Sequence, residues 1–116
     1  MCGITGIIAN YSLSNDELAR TEVAIKRLKK RGPDAAGIVS YDSTVLGHRR
    51  LSIIDTNSAS NQPMEDASKR YSIVLMERFI TIRDLKDLIE KGYQFKNESD
   101  TEVLLNGYDC YGTVFF

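Results

Sequence analysis

The chain has 116 residues, enough for one domain or part of one, with 42% hydrophobic residues, 27% charged residues and a formal net charge of −1. This balance lacks the strongly basic character of nucleic-acid-binding proteins, and no apolar stretch is long enough to span a membrane, so we expect neither partner. Its two cysteines lie far apart with no apolar signal segment ahead of them, which favours a reducing cytoplasm over a disulfide scaffold.

The first third of the chain predicts a strand followed by a helix. Residues 3–9 are apolar and β-leaning, and they predict a buried strand with Cys2 at its mouth. Ser14 or Asn15 can cap a helix whose apolar residues recur at helical spacing through Arg31, where a Gly-Pro pair ends it. We interpret the basic run in its last turn as a complement to the helix dipole, not as an anion-binding patch.

The middle of the chain predicts strands and a long loop. Residues 36–41 and 44–47 flank an Asp-Ser turn pair and predict a hairpin, whose second arm continues over residues 51–54. Residues 55–70 are rich in Ser, Asn, Asp and Gln, and they predict a surface loop that could fold over a site. Residues 71–75 predict one more strand.

Two helices complete the pattern. Residues 83–91 have helical composition and stop at Gly92. Ser99 with Glu102 predicts a capping box in front of a last helix that ends near Tyr111. Because no repeat, linker or low-complexity tract interrupts the chain, we expect no domain boundary between residues 1 and 116.

Cys2 is the first candidate functional residue. Excision of Met1, which a small second residue permits, would leave a thiol and a free α-amine on Cys2. An α-amine has a pKa of roughly 7.7–8.0 and a thiol about 8.5, so the amine can take the thiol proton near neutral pH. This is the chemistry of an N-terminal nucleophile. The alternative is that Cys2 is only a small, semi-buried residue at the start of a strand.

Four segments of the chain occur together in one known family. They are MCGI at residues 1–4, RGPDAAG at 31–37, LGHRRLSIID at 46–55 and SDTEVLL at 99–105. With QPM at 62–64 and KGYQF at 91–95, in the same order and spacing, they resemble the class II glutamine amidotransferase domain of glutamine-hydrolysing asparagine synthetases and their relatives.

The resemblance implies both a fold and a domain organisation. The expected fold is α+β, an N-terminal-nucleophile hydrolase sandwich of two antiparallel sheets between helical layers, incomplete at the C-terminus. Residues 1–116 are then a partial glutamine amidotransferase domain, because family members continue through further strands into an ATP-using synthetase domain that we expect to be absent here. ATP and magnesium belong to that missing domain, so we expect no cofactor and no metal in this one.

The same resemblance assigns roles to particular residues. Cys2 attacks the side-chain amide of glutamine, Arg50 binds the α-carboxylate of the substrate and Asp100 binds its α-ammonium. An Arg fork matches a carboxylate through two bonds and an Asp matches an ammonium, so the assignments suit a zwitterionic substrate. We expect residues 31–34 to form a turn near the entrance. The backbone lining the pocket is expected from Leu51, Ile53 and Ile54.

Each of these residues also has a structural interpretation. Arg49 and Arg50 are adjacent on a predicted strand, so only one can point inward, and the family register selects Arg50. Asp100 suits the start of a helix whether or not it binds substrate. His48, the sole histidine, could pair with the thiol, but a nucleophile that carries its own amine does not require it.

The segment after residues 71–75 departs from the family pattern. Where relatives carry Asn-Gly-Glu-Ile-Tyr-Asn, whose Asn side chain and Gly amide stabilise the oxyanion, this chain carries Met76 and Glu77. Met76 has no side-chain donor, and Glu77 adds negative charge near the developing oxyanion. Loss of one oxyanion donor costs about 10²–10³ in rate. We therefore expect glutaminase activity that is very weak or absent.

The form of this departure suggests a hypothesis about its origin. A coding sequence for the family segment, read one base later, begins Met-Glu-Arg-Phe-Ile-Thr, which is the sequence at residues 76–81. The residues that follow again resemble the family. Two compensating single-base slips would account for both facts.

Three interpretations of function follow. The first is the glutaminase half of an asparagine synthetase-like enzyme, which converts glutamine to glutamate and ammonia, with a synthetase domain or chain as partner. The second is a catalytically inactive remnant that at most binds glutamine through Arg50 and Asp100. The third is an unrelated small binding domain in which Cys2 is structural.

Overall fold

The computed structural model describes residues 1–53, 58–76, 82–96 and 99–115 as five strands and three α-helices, with short 3₁₀ turns. In chain order these are β1 (Gly3–Ile8), α1 (Asn15–Arg27), β2 (Ala35–Ser40), β3 (Thr44–Arg50), β4 (Met64–Glu65), β5 (Ser72–Ile73), α2 (Ile82–Glu90) and α3 (Asp100–Tyr111). The strands form two antiparallel sheets, in the order β1-β3-β2 and β4-β5. The expectation of an α+β fold with two antiparallel sheets is confirmed.

The first packing unit is the three-stranded sheet with α1 on one face. Ser14 caps α1 and forms a reciprocal capping box with Glu17, as a serine followed three residues later by a glutamate favours. Ile25 of α1 packs where Gly47 leaves room in β3, since a Cβ at that glycine would lie 2.4 Å from the Ile25 Cδ1 atom. Ile25 and the neighbouring Val45 are buried. This packing fixes the position of β3, on which the candidate site is built.

The second packing unit joins α2 and α3 to the β4–β5 hairpin. Leu88 of α2 and Leu104 and Leu105 of α3 are buried. The rings of Tyr71 and Tyr108 meet edge to face, with centroids 5.1 Å apart, and link the hairpin to α3. The hairpin and α3 are therefore packed directly against each other.

The structure corrects several predicted boundaries. The α-helix predicted through Arg31 ends at Arg27 and tightens into a 3₁₀ turn, and β3 continues to Arg50. Continuation of the strand beyond β3 is wrong for residues 51–53, because the N–H groups of Leu51 and Ser52 bond to side chains elsewhere. The predicted loop contains β4, and the strand predicted over residues 71–75 is reduced to the two residues of β5.

Candidate functional site

Cys2 lies directly before β1, where the start of β1 runs beside the end of β3. Gly3 pairs with Arg49, so one further step of the antiparallel register puts Cys2 opposite Arg50, with both side chains on the same face. The Leu51 N–H donates to the Cys2 Sγ atom at 3.4 Å, and that sulfur lies 4.0 Å from the Leu51 carbonyl oxygen. The thiol is half-buried. This backbone donor holds the sulfur at the end of the strand pair.

Met1 precedes this site and is 74% exposed. In the chain as it stands, the Cys2 nitrogen belongs to the peptide bond with Met1. Removal of Met1 would convert that nitrogen into a primary amine on the same residue as the sulfur.

The predicted turn at residues 31–34 packs against both sides of this strand end. Arg31 Nε donates to the Cys2 carbonyl oxygen at 3.3 Å, and the Asp34 N–H donates to the Arg50 carbonyl oxygen at 3.0 Å. The Asp34 carboxylate accepts the Ser52 N–H at 2.6 Å. Because the two strand ends share this turn, a shift of one would displace the other.

The adjacent arginines point in different directions, as strand geometry requires. Arg49 Nε donates to the Gly32 carbonyl oxygen at 2.7 Å, so its side chain holds the turn. Arg50 is only 9% exposed, and its Nη1 group donates to Asn61 Oδ1 at 2.8 Å. Arg50 is thus the arginine on the Cys2 face of the sheet, and its guanidinium is held by the loop before β4.

His48 lies two residues before Arg50 on the same face of β3. It is 1% exposed, and its Nε2 group lies 3.1 Å from the Leu75 carbonyl oxygen. A carbonyl only accepts, so we assign the proton to Nε2. Burial, with the Arg50 charge nearby, lowers the pKa of His48, although the bond to Leu75 opposes this. His48 is therefore a neutral donor committed to Leu75, which favours a structural role over pairing with Cys2.

Asp100 is the first residue of α3 and is half-buried. Ser99 caps this helix by accepting the N–H of Glu102. The next residue, Thr101, is buried, and its Oγ1 atom accepts a hydrogen bond from Gln62 Nε2 at 3.1 Å. The start of α3 is thereby joined to the same loop that holds Arg50.

The remaining predicted site residues have varied positions. Leu51 is half-buried beside Cys2, whereas the Ile53 side chain is 79% exposed, so only its backbone could line a pocket. Met76 follows Leu75 directly and is 39% exposed. The predictions for Ile54 and Glu77 lie outside the described residues.

Sequence reasoning missed the residues that join these parts. Asn61 contacts Arg50, and Gln62 contacts both Leu75 and Thr101. The only signal was that Gln62 falls in a short segment in family order, and it carried no role. No periodicity in a polar loop indicates which amide reaches which partner.

The described residues lack two other kinds of functional element. In that part of the chain, no group of three or more His, Cys, Asp and Glu side chains lies close enough together to hold a metal ion. None of the described helices combines the length and apolar character needed to cross a membrane.

Comparison with known proteins identifies relatives of the whole chain. A model of the glutamine amidotransferase domain matches residues 1–116. The chain is 31% identical over 99% of its length to glutamine-hydrolyzing asparagine synthetase 2 of Arabidopsis thaliana, and covers 20% of that protein. It is 35% identical over 93% of its length to glutamine-hydrolyzing asparagine synthetase 3 of Bacillus subtilis, covering 18% of that protein, and 33% identical over 99% of its length to glutamine-hydrolyzing asparagine synthetase B of Escherichia coli, covering 21%. The chain spans about a fifth of the length of these curated relatives.

Proposed function

This chain belongs to the glutamine amidotransferase domain family, and from that membership we propose that its site hydrolyses glutamine to glutamate and ammonia. The observation that carries the proposal is the Leu51 N–H bond to Cys2 Sγ beside the buried Arg50. It supports the proposal because Cys2, the proposed nucleophile, and Arg50, the proposed carboxylate-binding group, lie on one face of a strand pair. We propose the same fold for the whole domain as the resemblance implies, an N-terminal-nucleophile sandwich.

The proposed reaction has two halves. After Met1 is removed, the α-amine of Cys2 takes the thiol proton, and the sulfur attacks the side-chain carbonyl carbon of glutamine. The C–N bond breaks, the amine returns a proton to the leaving nitrogen, and ammonia departs from a glutamyl thioester. Water then attacks that thioester, and glutamate and the free thiol are released.

Substrate recognition rests on two opposite charges. Arg50 binds the α-carboxylate through its guanidinium fork, and Asp100 binds the α-ammonium. Their connection to a single loop, through Asn61 and through Gln62 with Thr101, supports this assignment. The backbone of Leu51, Ile53 and Ile54 would line the pocket between them.

The activity of this chain is proposed to be low. The family resemblance implies oxyanion donors where Met76 and Glu77 stand, and Met76 supplies none from its side chain. The second candidate function, a glutamine-binding remnant without turnover, is favoured by this one substitution. The two differ in turnover and share the same binding site.

The likeness to long synthetases suggests a wider setting. We propose that the ammonia serves an asparagine synthetase-like reaction on a synthetase domain or chain, where ATP and magnesium act, and that this domain needs no cofactor. We also propose a reducing cytoplasmic location for the chain.

Calorimetric titration with glutamine tests the proposed site directly. Arg50→Lys replaces the planar fork with a point charge, so we expect affinity to fall about tenfold, the factor that 1.4 kcal/mol represents. Arg49→Lys is the matched control, because Arg49 bonds to the backbone of the turn and we expect affinity near that of the parent chain. Equal losses in the two variants, or no glutamine binding by the parent chain, would contradict the proposal.

A further inference from the structure

Gln62 is the residue at which the separate parts of the candidate site meet. We propose that Gln62 is a positioning residue, which holds the segment leading to Met76 and the start of α3 in register with Arg50. The inference rests on the proposed glutamine site, and adds to it a residue that would not itself touch the reacting atoms.

The side-chain amide of Gln62 bonds at both ends. Its Oε1 atom accepts the Leu75 N–H at 2.5 Å, and its Nε2 group donates to Thr101 Oγ1 at 3.1 Å. Because a backbone N–H only donates, the orientation of the amide is determined by its bond to Leu75. One planar group therefore sets the separation of two segments distant in sequence.

The bond to Leu75 holds the backbone next to Met76, where the resemblance implies an oxyanion donor. The Leu75 N–H is bonded to Gln62, and its carbonyl oxygen accepts from the buried His48 Nε2 group. With both polar groups bonded, the backbone immediately before Met76 has a defined position. That position is where an oxyanion donor must be held within a few tenths of an ångström to act.

The bond to Thr101 holds the neighbour of Asp100, the residue that we propose binds the α-ammonium of the substrate. Thr101 directly follows Asp100 in the first turn of α3, so its bond to Gln62 limits movement of the Asp100 backbone relative to the loop. The residue before Gln62, Asn61, accepts from Arg50 Nη1 at 2.8 Å. Two neighbouring amides thus connect both proposed charge-recognition groups.

The loop that carries Gln62 also has a close contact with the sheet. A Cβ atom built on Gly37 would lie 2.0 Å from the Gln62 carbonyl oxygen, a distance that backbone atoms do not tolerate. Gly37 pairs with His48 in the register of β2 and β3. The backbone of Gln62 is therefore seated on the strand pair that also carries Arg50, while its side chain reaches outward to the other two segments.

A covalent probe measures positioning separately from thiol reactivity. We would use the 116-residue chain without Met1 and the glutamine analogue 6-diazo-5-oxo-L-norleucine. Its diazo carbon takes up a proton, the Cys2 thiolate forms the C–S bond, and dinitrogen leaves. Intact-mass analysis at increasing analogue concentration gives the half-saturating concentration. Peptide mapping after iodoacetamide treatment gives the reactivity of the Cys2 thiol, separately from that of Cys110 and without amino-acid recognition.

Thr101 offers the cleanest pair of variants. Thr101→Val removes the acceptor for Gln62 at nearly constant volume, and leaves a half-buried donor unpaired, so we expect the half-saturating concentration to rise about tenfold. Thr101→Ser keeps the hydroxyl, and we expect a change below about threefold. Gln62→Met should match Thr101→Val, whereas Gln94→Met, at an exposed glutamine, should match the parent chain. Iodoacetamide rates should be alike in all five proteins.

The outcomes separate this inference from the function on which it rests. If the parent chain labels without saturation, the glutamine site itself is wrong, and the positioning role is overturned with it. If the parent chain saturates and Thr101→Val retains its half-saturating concentration, or Thr101→Ser loses as much as Thr101→Val, only the positioning role is overturned. An equal fall in iodoacetamide reactivity would also overturn it, because the change would then concern the thiol.

Discussion

The two ends of the candidate site differ in what they retain. At the β1–β3 end, the Cys2 sulfur accepts a backbone N–H and lies beside a buried Arg50, an arrangement suited to a nucleophile and a carboxylate. At the other end, Leu75 is held by His48 and Gln62, yet the next residue is Met76. Hydrogen bonds hold the backbone at both ends. The side-chain oxyanion donor that the resemblance implies at the second end is missing, because Met76 has none.

The expected loss of activity therefore comes from a missing hydrogen-bond donor and not from a different fold of the site. The N–H and carbonyl groups of Leu75 are both bonded, and neither bond involves the side chain of residue 76. Met76 therefore changes the available hydrogen-bond donors more than it changes the packing around Leu75. Such a defect should respond to substitution of very few residues.

The largest expected effect is a gain of glutaminase activity when the missing oxyanion donors are restored. The double substitution Met76→Asn with Glu77→Gly restores the donor pair that the resemblance implies and removes a negative charge. Since one oxyanion donor is worth about 10²–10³ in rate, we expect glutamate release to rise at least that much. A coupled glutamate assay measures it.

The control for this gain acts at the opposite end of the site. Cys2→Ala in the restored chain should return glutamate release to the buffer rate, because no other described residue is assigned as nucleophile. If glutamate release does not rise in the Met76→Asn, Glu77→Gly chain, the restored donors are not correctly placed relative to Cys2. Resequencing the gene tests the related hypothesis of two base slips, which an unslipped frame encoding this protein would refute.

A second substitution tests whether the loop links the two ends. Gly37→Ala places a methyl group against the Gln62 carbonyl oxygen, so the loop must move. We expect the free energy of unfolding to fall by about 1–3 kcal/mol, as overpacking does, with weaker glutamine binding. Urea denaturation and calorimetry measure the two effects, and Ser40→Ala, at an exposed position of the same strand, is the control.

Loss of stability without loss of glutamine affinity in Gly37→Ala would weaken the proposed link. It would mean that the loop moves without disturbing Arg50 or Asp100. The two ends of the site would then be independent of the loop.

The smallest expected effect concerns pH. His48 has a lowered pKa because it is buried and lies near Arg50, so the unfolded chain binds a proton more readily than the folded chain. Stability contributed by neutral His48 is therefore present above about pH 6.5 and is lost as the pH falls below it. Urea denaturation at pH 7 and at pH 5.5 measures this loss.

His48→Gln is the matched variant for the pH prediction. A glutamine amide can donate to the Leu75 carbonyl oxygen but does not titrate, so part of the pH dependence should disappear. An identical pH dependence in the parent chain and in His48→Gln would refute this role for the histidine.

Local patterns in the sequence predict some elements well. The strand at residues 3–8 follows from a short apolar run, and the starts of α1 and α3 follow from Ser14 and Ser99 as caps. These features depend on residues within a few positions of one another. The α+β class follows from them, together with the hairpin of β2 and β3.

Other features depend on partners distant in sequence and could not be predicted in this way. The strand after Arg50 ends because the Leu51 and Ser52 N–H groups bond to Cys2 and Asp34. Similarly, β5 is short of its predicted length, and the Leu75 N–H bonds to Gln62. Choosing Arg50 rather than Arg49 required matching the chain to the family motif, since adjacent arginines are equivalent in local sequence.

We propose that Cys2 supplies both nucleophile and base once Met1 is gone. The most direct test compares two preparations of the Met76→Asn, Glu77→Gly chain, one processed and one retaining Met1 after expression with an aminopeptidase inhibitor, with intact mass as the check. We predict glutamate release from the processed chain and only the buffer rate from the chain that retains Met1. Equal glutamate release from both preparations would show that the α-amine of Cys2 is not the base.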